Sequence, residues 1–288
     1  MTPRPPMDRR QFLARIGRSG VAVGLFGVAA CSGDSAPASA LLSAAPTSRP
    51  GTVPATTGAP GAAAPNTTGT TAADTSATTT TAGSGEDLAW ERVDLGFVSA
   101  YVLRRSGRAM VVDTGVSGSE EAIAAGLAAL DLAWHDVAHI VLTHQHPDHV
   151  GSLDAVVNQS PNATLWAAEP DIGNITSRYR PLAPVADGDE ILGLVVIETP
   201  GHTAGSISVL DTEAGVLVVG DALNGGDATG GEAGTVAGAN PQFSNDMAAA
   251  ADTVRKLAGL EFETALFGHG TPVLSGASAQ VVALAAGL

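Results

Sequence analysis

The chain has one cysteine in 288 residues, Cys31, so no disulfide can form within it and its stability must come from a core or from bound metal. Basic residues are scarce too: 14 Lys and Arg stand against 29 Asp and Glu. Six of the 14 fall in the first 50 positions, and beyond Gly85 there are 8 basic and 26 acidic residues. A body that acidic repels phosphate backbones and excludes nucleic acid as a partner. Aromatic residues make up only 4%. There is no Gly-x-Ser-x-Gly elbow, and no cysteine after Cys31, so neither a serine nor a cysteine nucleophile is indicated. No repeat occurs at a solenoid period.

Long apolar runs are also missing. Val21 to Ala30, the run nearest the N-terminus, is too short to cross a membrane comfortably and has the length of a signal-peptide core. Asp8-Arg9-Arg10-Gln11-Phe12-Leu13 before it resembles a twin-arginine export signal, and Val28-Ala29-Ala30-Cys31 resembles a lipobox. The expectation is a signal peptide over 1–31, acylation of Cys31, and attachment by that lipid to the outer side of the cytoplasmic membrane. Residues 32–86 are almost all Ala, Thr, Ser, Pro and Gly, with an unbroken threonine run from Thr78 to Thr81. Such a segment cannot bury enough apolar surface to offset its chain entropy. It reads as a disordered tether that, as a flexible coil, would span roughly 40 Å. Residues 87–288 remain as one globular domain.

What is present is concentrated in Thr143-His144-Gln145-His146-Pro147-Asp148-His149-Val150-Gly151, which holds three of the seven histidines. Imidazole and carboxylate together suit zinc, iron or manganese. His144 and His146, two apart in an extended segment, share a side and can hold one ion. Asp148 and His149 lie beyond the turn at Pro147 and can face a second. Three later residues also follow apolar runs: His202 in Thr199-Pro200-Gly201-His202-Thr203, Asp221 after Val216–Gly220, and His269 after Ala265–Gly268. Asp113 closes a fourth run, Met110–Val112. Singly these are turn formers or loop residues. Together they put five histidines and two carboxylates at strand ends, the number needed for two adjacent ions. His135 and His139 fall outside this pattern.

The order His144-x-His146-x-Asp148-His149, then His202, Asp221 and His269, resembles the metallo-β-lactamase-fold hydrolase superfamily over Leu88 to about Val273. The resemblance implies an α+β fold, an αββα sandwich with the site at one edge of two sheets. It implies two divalent metal ions, zinc first and iron or manganese next. His144, His146 and His202 would hold one, and Asp148, His149 and His269 the other, with Asp221 between them and Asp113 orienting a ligand histidine from behind. It further implies a hydroxide, activated by the two metals, that attacks a small ester, lactone, thioester or amide, with Asp148 orienting it and taking a proton.

Aspartate at 221, where classical zinc β-lactamases carry cysteine, makes the chain more similar to the glyoxalase II and lactonase branch. Only 19 residues follow His269 and none is basic, which argues against a glutathione thioester. An iron-dependent persulfide dioxygenase and a β-lactam hydrolase remain as alternatives. Asn224 to Asn240, rich in Gly and Ala, is expected to be a loop that lines the pocket or closes over it. Tyr179 with Arg178 and Arg180 is a weaker candidate for contact with an anionic or ester substrate.

Elsewhere the pattern predicts strands at Trp90–Val93, Phe97–Leu103, Ala109–Asp113, His139–Thr143, Thr164–Ala167, Ile191–Glu198, Ser206–Leu210, Val216–Val219 and Ala265–Phe267. It predicts helices at Ser119–Leu130 (with Ser117 or Ser119 as the cap), Val150–Val157, Asn245–Leu257 and Ala277–Ala286.

Overall fold

A computed structural model describes residues 87–288. The signal segment, Cys31 and the linker read from the sequence lie outside the described residues. Six strands pair in chain order in the first sheet: β1 (Ala89–Asp94), β2 (Ser99–Arg105), β3 (Arg108–Val112), β4 (Val137–Val141), β5 (Thr164–Ala168) and β6 (Leu182–Val185). The first three are antiparallel and the rest parallel. The second sheet has β7 (Glu190–Ile191), β8 (Leu194–Glu198), β9 (Ile207–Asp211) and β10 (Val216–Gly220). A separate ribbon pairs β11 (Leu223–Gly225) with β12 (Val236–Gly238). The last strand, β13 (Thr264–Phe267), lies parallel to β10 and gives the second sheet the order β13-β10-β9-β8-β7.

The helices are α1 (Glu120–Ala129), α2 (Pro147–Val150), α3 (Leu153–Gln159), α4 (Glu169–Ile172), α5 (Met247–Leu257) and α6 (Ala277–Ala286). Among the described residues no helix is long and apolar enough to cross a membrane.

Three apolar layers explain why the central strands read as continuous hydrophobic runs. Alternate residues of a strand face opposite ways. Val102, Val111 and Ile140 therefore pack on Ile123 and Leu127 of α1 and on Leu153 and Val156 of α3. Their neighbours Leu103, Met110, Val112 and Val141 turn inward and meet Leu194, Val196, Val209 and Val218 of the second sheet. On that sheet's outer face, Ile197, Leu210 and Leu217 pack on Val254 and Leu257 of α5 and Val281 of α6. Full burial of each such side chain contributes about 1.5–3 kcal/mol. The result is the helix–sheet–sheet–helix sandwich expected from the sequence. Polar links also join the sheets: among them, the Tyr101 hydroxyl donates to the Phe267 carbonyl at 2.8 Å, and the Arg105 guanidinium pairs with buried Asp211.

Several elements differ from expectation. The strand leading to the histidines ends at Val141, two residues early, because Thr143 is drawn out of the ladder by Asp113. The run Ile191–Glu198 is a hairpin, broken at Leu192 and Gly193, which both have positive φ. Phe97 is in the β1–β2 turn and exposed. The helix expected over Val150–Val157 divides into α2 and α3 at Gly151 and Ser152. Ser119 occupies the N-cap of α1 but spends its hydroxyl on the Val116 carbonyl, so the helix has no side-chain cap.

Candidate metal centre

The seven residues come from separate places in the chain and meet at one edge of the sandwich. His144 and His146 lie in the segment joining β4 to α2, and Asp148 and His149 lie in α2. His202 is in the loop between β8 and β9, Asp221 just after β10, and His269 just after β13. Ligand-type atoms of His144, His146 and His202 all fall within 4.8 Å of one another, as do those of His144, His149 and Asp221 and those of Asp148, His149 and His269. His202 Nε2 is 2.8 Å from His146 Nδ1 and 3.2 Å from His144 Nε2. Asp221 reaches into all of these groups. Its Oδ1 is 3.3 Å from His149 Nε2, and its Oδ2 is 3.4 Å from His202 Nε2 and 3.2 Å from His269 Nε2. Asp148 Oδ2 lies 3.3 Å from His269 Nε2 and 3.8 Å from His149 Nε2.

The outer nitrogens fix the tautomers. Thr143 Oγ1 donates to Asp113 Oδ2 at 2.8 Å, so toward His144 Nδ1, 3.1 Å away, it can only accept. Ser244 Oγ likewise donates to the Asn240 carbonyl and accepts from His202 Nδ1 at 3.2 Å. His149 Nδ1 faces Asp113 Oδ2 at 2.8 Å, and His269 Nδ1 faces the Phe97 carbonyl at 2.5 Å. Four histidines thus carry the ring proton on Nδ1 and turn Nε2 into the site, the arrangement that suits metal ligation. Asp113 itself is buried with φ of 62°, a left-handed conformation that places its carboxylate under both Thr143 and His149.

Electrostatics divides the cluster. Burial, reinforced by neighbouring histidines, pushes His144 well below the ordinary imidazole range, and burial takes His202 down to about 4. For His149, burial is outweighed by Asp221 and Asp113, which hold it well above that range. At His269 burial is likewise outweighed by hydrogen bonds to Asp148 and Asp221, and the group rises to about 10. Asp148 is lowered, chiefly by its hydrogen bond with His269. Burial of Asp221 opposes ionisation, yet His149 and His269 hold it well below the carboxylate range.

These residues fit a pair of cations. His149 Nε2 and Asp221 Oδ1 are buried and, although 3.3 Å apart, neither makes a hydrogen bond. Orphaned polar atoms of this kind are costly unless something ligates them. Gly268 preserves the space: a Cβ there would collide with Asp221 Oδ1 and lie 2.6 Å from the His149 ring.

The site opens into a cavity of about 640 Å³ lined by Phe97, Pro147, Asp148, Asn224, Asp227, Ala228, Asn240 and Phe243 together with His146, His202 and His269. Asn224 to Asn240 therefore contributes to its wall. It is not a structureless loop, for it contains the β11–β12 ribbon. Gln280 of α6 ties the ribbon down by accepting from the Val236 N–H at 3.0 Å, and Asp227 bonds both the N–H and the hydroxyl of Thr271. Tyr179, Arg178 and Arg180 do not line the cavity. Arg180 donates to the carbonyls of Ser160, Pro161 and Ala163, and Arg178 pairs with Asp154 at 3.4 Å. His135 is on the surface, and His139 Nδ1 accepts from Trp166 Nε1 at 3.1 Å, away from the site. Phe97, Ser244 and Phe243 were not apparent from the sequence as parts of the site, whereas Asp227 falls within the segment expected to line it.

The family model described as the metallo-beta-lactamase superfamily matches residues 93–269, which contain every residue of this cluster. The chain belongs to the metallo-beta-lactamase superfamily. A superfamily member from Thermus thermophilus, solved as a metallo-beta-lactamase family protein, shares the fold with a TM-score of 0.52 and 23% identity, covering 69% of this chain and 78% of that one. The uncharacterized protein YobT of Bacillus subtilis (strain 168) is 34% identical over 158 residues, 47% of this chain and 66% of that protein. A hydroxyacylglutathione hydrolase of Aeromonas salmonicida (strain A449) is 31% identical over 172 residues, 58% of each chain. The chain thus matches less than two thirds of the length of either curated relative.

Proposed function

We propose that this superfamily member is a hydrolase that uses two divalent cations on a small, uncharged ester, lactone, thioester or amide. The observation that carries the reading is the convergence of the Nε2 atoms of His149, His202 and His269 on the buried carboxylate of Asp221, at 3.3, 3.4 and 3.2 Å. His144, His146 and His202 would hold one cation and Asp148, His149 and His269 the other, with Asp221 shared. An imidazole-rich set with carboxylates suits zinc, and after it iron or manganese, better than magnesium or calcium. When bound, such a pair supplies Lewis acidity toward the substrate's carbonyl oxygen and makes water acidic enough to react near neutrality.

The chain's own residues supply the rest. Asp148 lines the cavity and is held ionised by His269, so it is the carboxylate able to take a proton from water and return it to the leaving group. Asp113, behind His149, keeps that ring's Nδ1 protonated and its Nε2 aimed inward. Phe97, Pro147, Ala228 and Phe243 offer apolar wall to the acyl or alcohol part, and Asn224 and Asn240 offer amide donors and acceptors. Among the described residues lining the cavity there is no Lys or Arg, which favours an uncharged substrate over an anionic one.

The test is metal analysis of the purified protein, then a panel of lactones, thioesters, simple esters, β-lactams and a persulfide. Two zinc ions per chain with turnover of an uncharged ester or lactone is the expected result. A single iron with oxygen uptake on the persulfide would overturn it. Asp221→Ala should lose metal and hydrolysis together; a variant keeping two ions and full activity would remove Asp221 from its assigned place. Export and acylation at Cys31 belong to the same proposal. Cys31→Ala should abolish incorporation of labelled fatty acid.

A further inference from the structure

One carboxylate beside the site takes no part in the reading above. Asp171 is the third residue of the one-turn helix α4 and is 1% exposed. Its Oδ2 accepts from the Gln145 N–H at 3.0 Å and from the Thr203 hydroxyl at 2.7 Å, and its Oδ1 accepts from the Gly205 N–H at 2.9 Å. Gln145 separates His144 from His146, and Thr203 follows His202. Three donors from two ligand-bearing loops thus converge on one buried carboxylate. No ion pair among the described residues includes Asp171, so these donors alone compensate its charge. The approach is close enough to require glycine: a Cβ at Gly205 would lie 2.6 Å from the Asp171 carboxylate.

His146 shows why this matters. The other four site histidines are each oriented by a hydrogen bond that Nδ1 donates, to Thr143, Ser244, Asp113 or the Phe97 carbonyl. His146 turns Nδ1 inward to His202, and no hydrogen bond of the described residues reaches its outer nitrogen, Nε2. The residue is only half-buried. With no outer partner to hold the ring, the direction of His146 depends on the backbone that carries it. That backbone is pinned at the Gln145 N–H, and the same carboxylate pins the loop of His202.

We infer that Asp171 is a positioning residue for the three-histidine half of the centre: it fixes His146 relative to His202 by clasping Gln145, Thr203 and Gly205 together. The inference rests on the proposal that His144, His146 and His202 share a cation. It assigns to Asp171 the role that outer-shell partners play for ligand histidines elsewhere, exercised here through backbone rather than through the ring.

The experiment compares wild type with Asp171→Asn and Thr203→Val in the whole chain. Metal is removed with a chelator and replaced by cobalt(II), followed by visible absorption and by equilibrium dialysis for stoichiometry. Thermal unfolding of the metal-stripped proteins controls for folding. In Asp171→Asn one cobalt ion should bind as in wild type and the other about 10–100-fold more weakly. The absorption bands should shift, and kcat should fall with KM little changed. Thr203→Val, which removes one of the three donors and serves if Asp171→Asn does not fold, should show a smaller shift in the same direction. Variants matching wild type in spectrum and both affinities would overturn the inference alone. A wild-type chain that takes up no cobalt would overturn the metal reading and this inference with it.

Discussion

Asp113 and Asp171 grip the backbone one residue to either side of His144. Asp113 Oδ1 accepts the Thr143 N–H at 2.7 Å, and Asp171 Oδ2 accepts the Gln145 N–H at 3.0 Å. Both carboxylates are buried. They come from opposite flanks of the chain, Asp113 at the end of β3 and Asp171 in α4, and between them the segment carrying His144 and His146 loses the freedom usual in a connecting loop. A centre that must hold rings to a fraction of an ångström gains from this kind of support.

Asp113 has two tasks that substitution can separate. Asparagine tolerates the left-handed conformation at φ of 62°, so Asp113→Asn should fold. It weakens the hold on His149 Nδ1, and metal affinity should drop about 10–100-fold. Alanine loses the same contacts and adds backbone strain of about 1–2 kcal/mol. Metal titration together with urea unfolding of the two stripped variants checks both halves: equal affinity losses, with extra instability only in Asp113→Ala.

Metal uptake should release protons. In the stripped protein His149 is held well above the ordinary range and His269 near 10, so both are charged near neutral pH, and ligation must displace about two protons. Calorimetry in buffers of different ionisation enthalpy measures the number directly, and no release would contradict the assignment. The stripped protein also has a defined pH window. The stabilisation from His269 is complete below 6.5 and is lost as pH rises through about 10. That from Asp221 is present above 3.8 and is lost as pH falls through its depressed value. Buried His202 works in the opposite sense to His269, its stabilisation being present above 6.5 and lost as pH falls through about 4, so the unfolding temperature with chelator should peak near pH 6.5 and fall on either side.

How much could be read beforehand follows from what leaves a trace in sequence. The proposed metal centre calls for particular side chains, so His144, His146, Asp148, His149, His202, Asp221 and His269 stand out against the apolar runs before them. Asp113 was visible as the end of such a run. Phe97 was not, because the group that holds His269 is its backbone carbonyl, which any residue supplies. Asp171 is one aspartate in a very acidic domain, and only three-dimensional proximity to Gln145 and Gly205 distinguishes it. β6 was hidden by Pro184, which a strand tolerates at the edge of a sheet. The segment Asn224–Asn240 was legible only as a loop, because the order of its ribbon comes from distant partners, Thr271 and Gln280.

Away from the site, the Arg105–Asp211 pair joins the far end of β2 to the end of β9. Asp211 is 1% exposed and also accepts the N–H groups of Glu213 and Ala214 at 2.9 Å each. Asp211→Ala leaves a partly buried guanidinium without its carboxylate and should cost up to about 3 kcal/mol, read as a lower urea midpoint with an unchanged slope. Ser99, at the other end of β2, bonds to Gly268 next to His269, so the damage is remote from the ligands. Metal stoichiometry under folding conditions should stay at the wild-type value; its loss would mean that the sheets transmit the defect to the site.

Phe97 has two roles that substitution can separate. Its carbonyl orients His269, while its side chain, 64% exposed, lies at 6.1 Å over the His269 ring and lines the cavity with Phe243. Large apolar side chains left in water at a cavity mouth cost solvation energy that a ligand can recover. Phe97→Ala keeps the carbonyl, so metal content should be unchanged. It removes apolar wall, so kcat/KM for an ester with an aliphatic or aromatic group should fall about 10-fold, in line with about 1–2 kcal/mol for a lost partly buried contact, mainly through KM. Phe243→Ala should act alike, and acetate esters, which are too small to reach the wall, should be nearly indifferent to both. If Phe97→Ala instead lost metal, the side chain rather than the carbonyl would be what holds His269. If it spared long and short esters equally, the apolar part of the substrate would bind elsewhere than between these two rings.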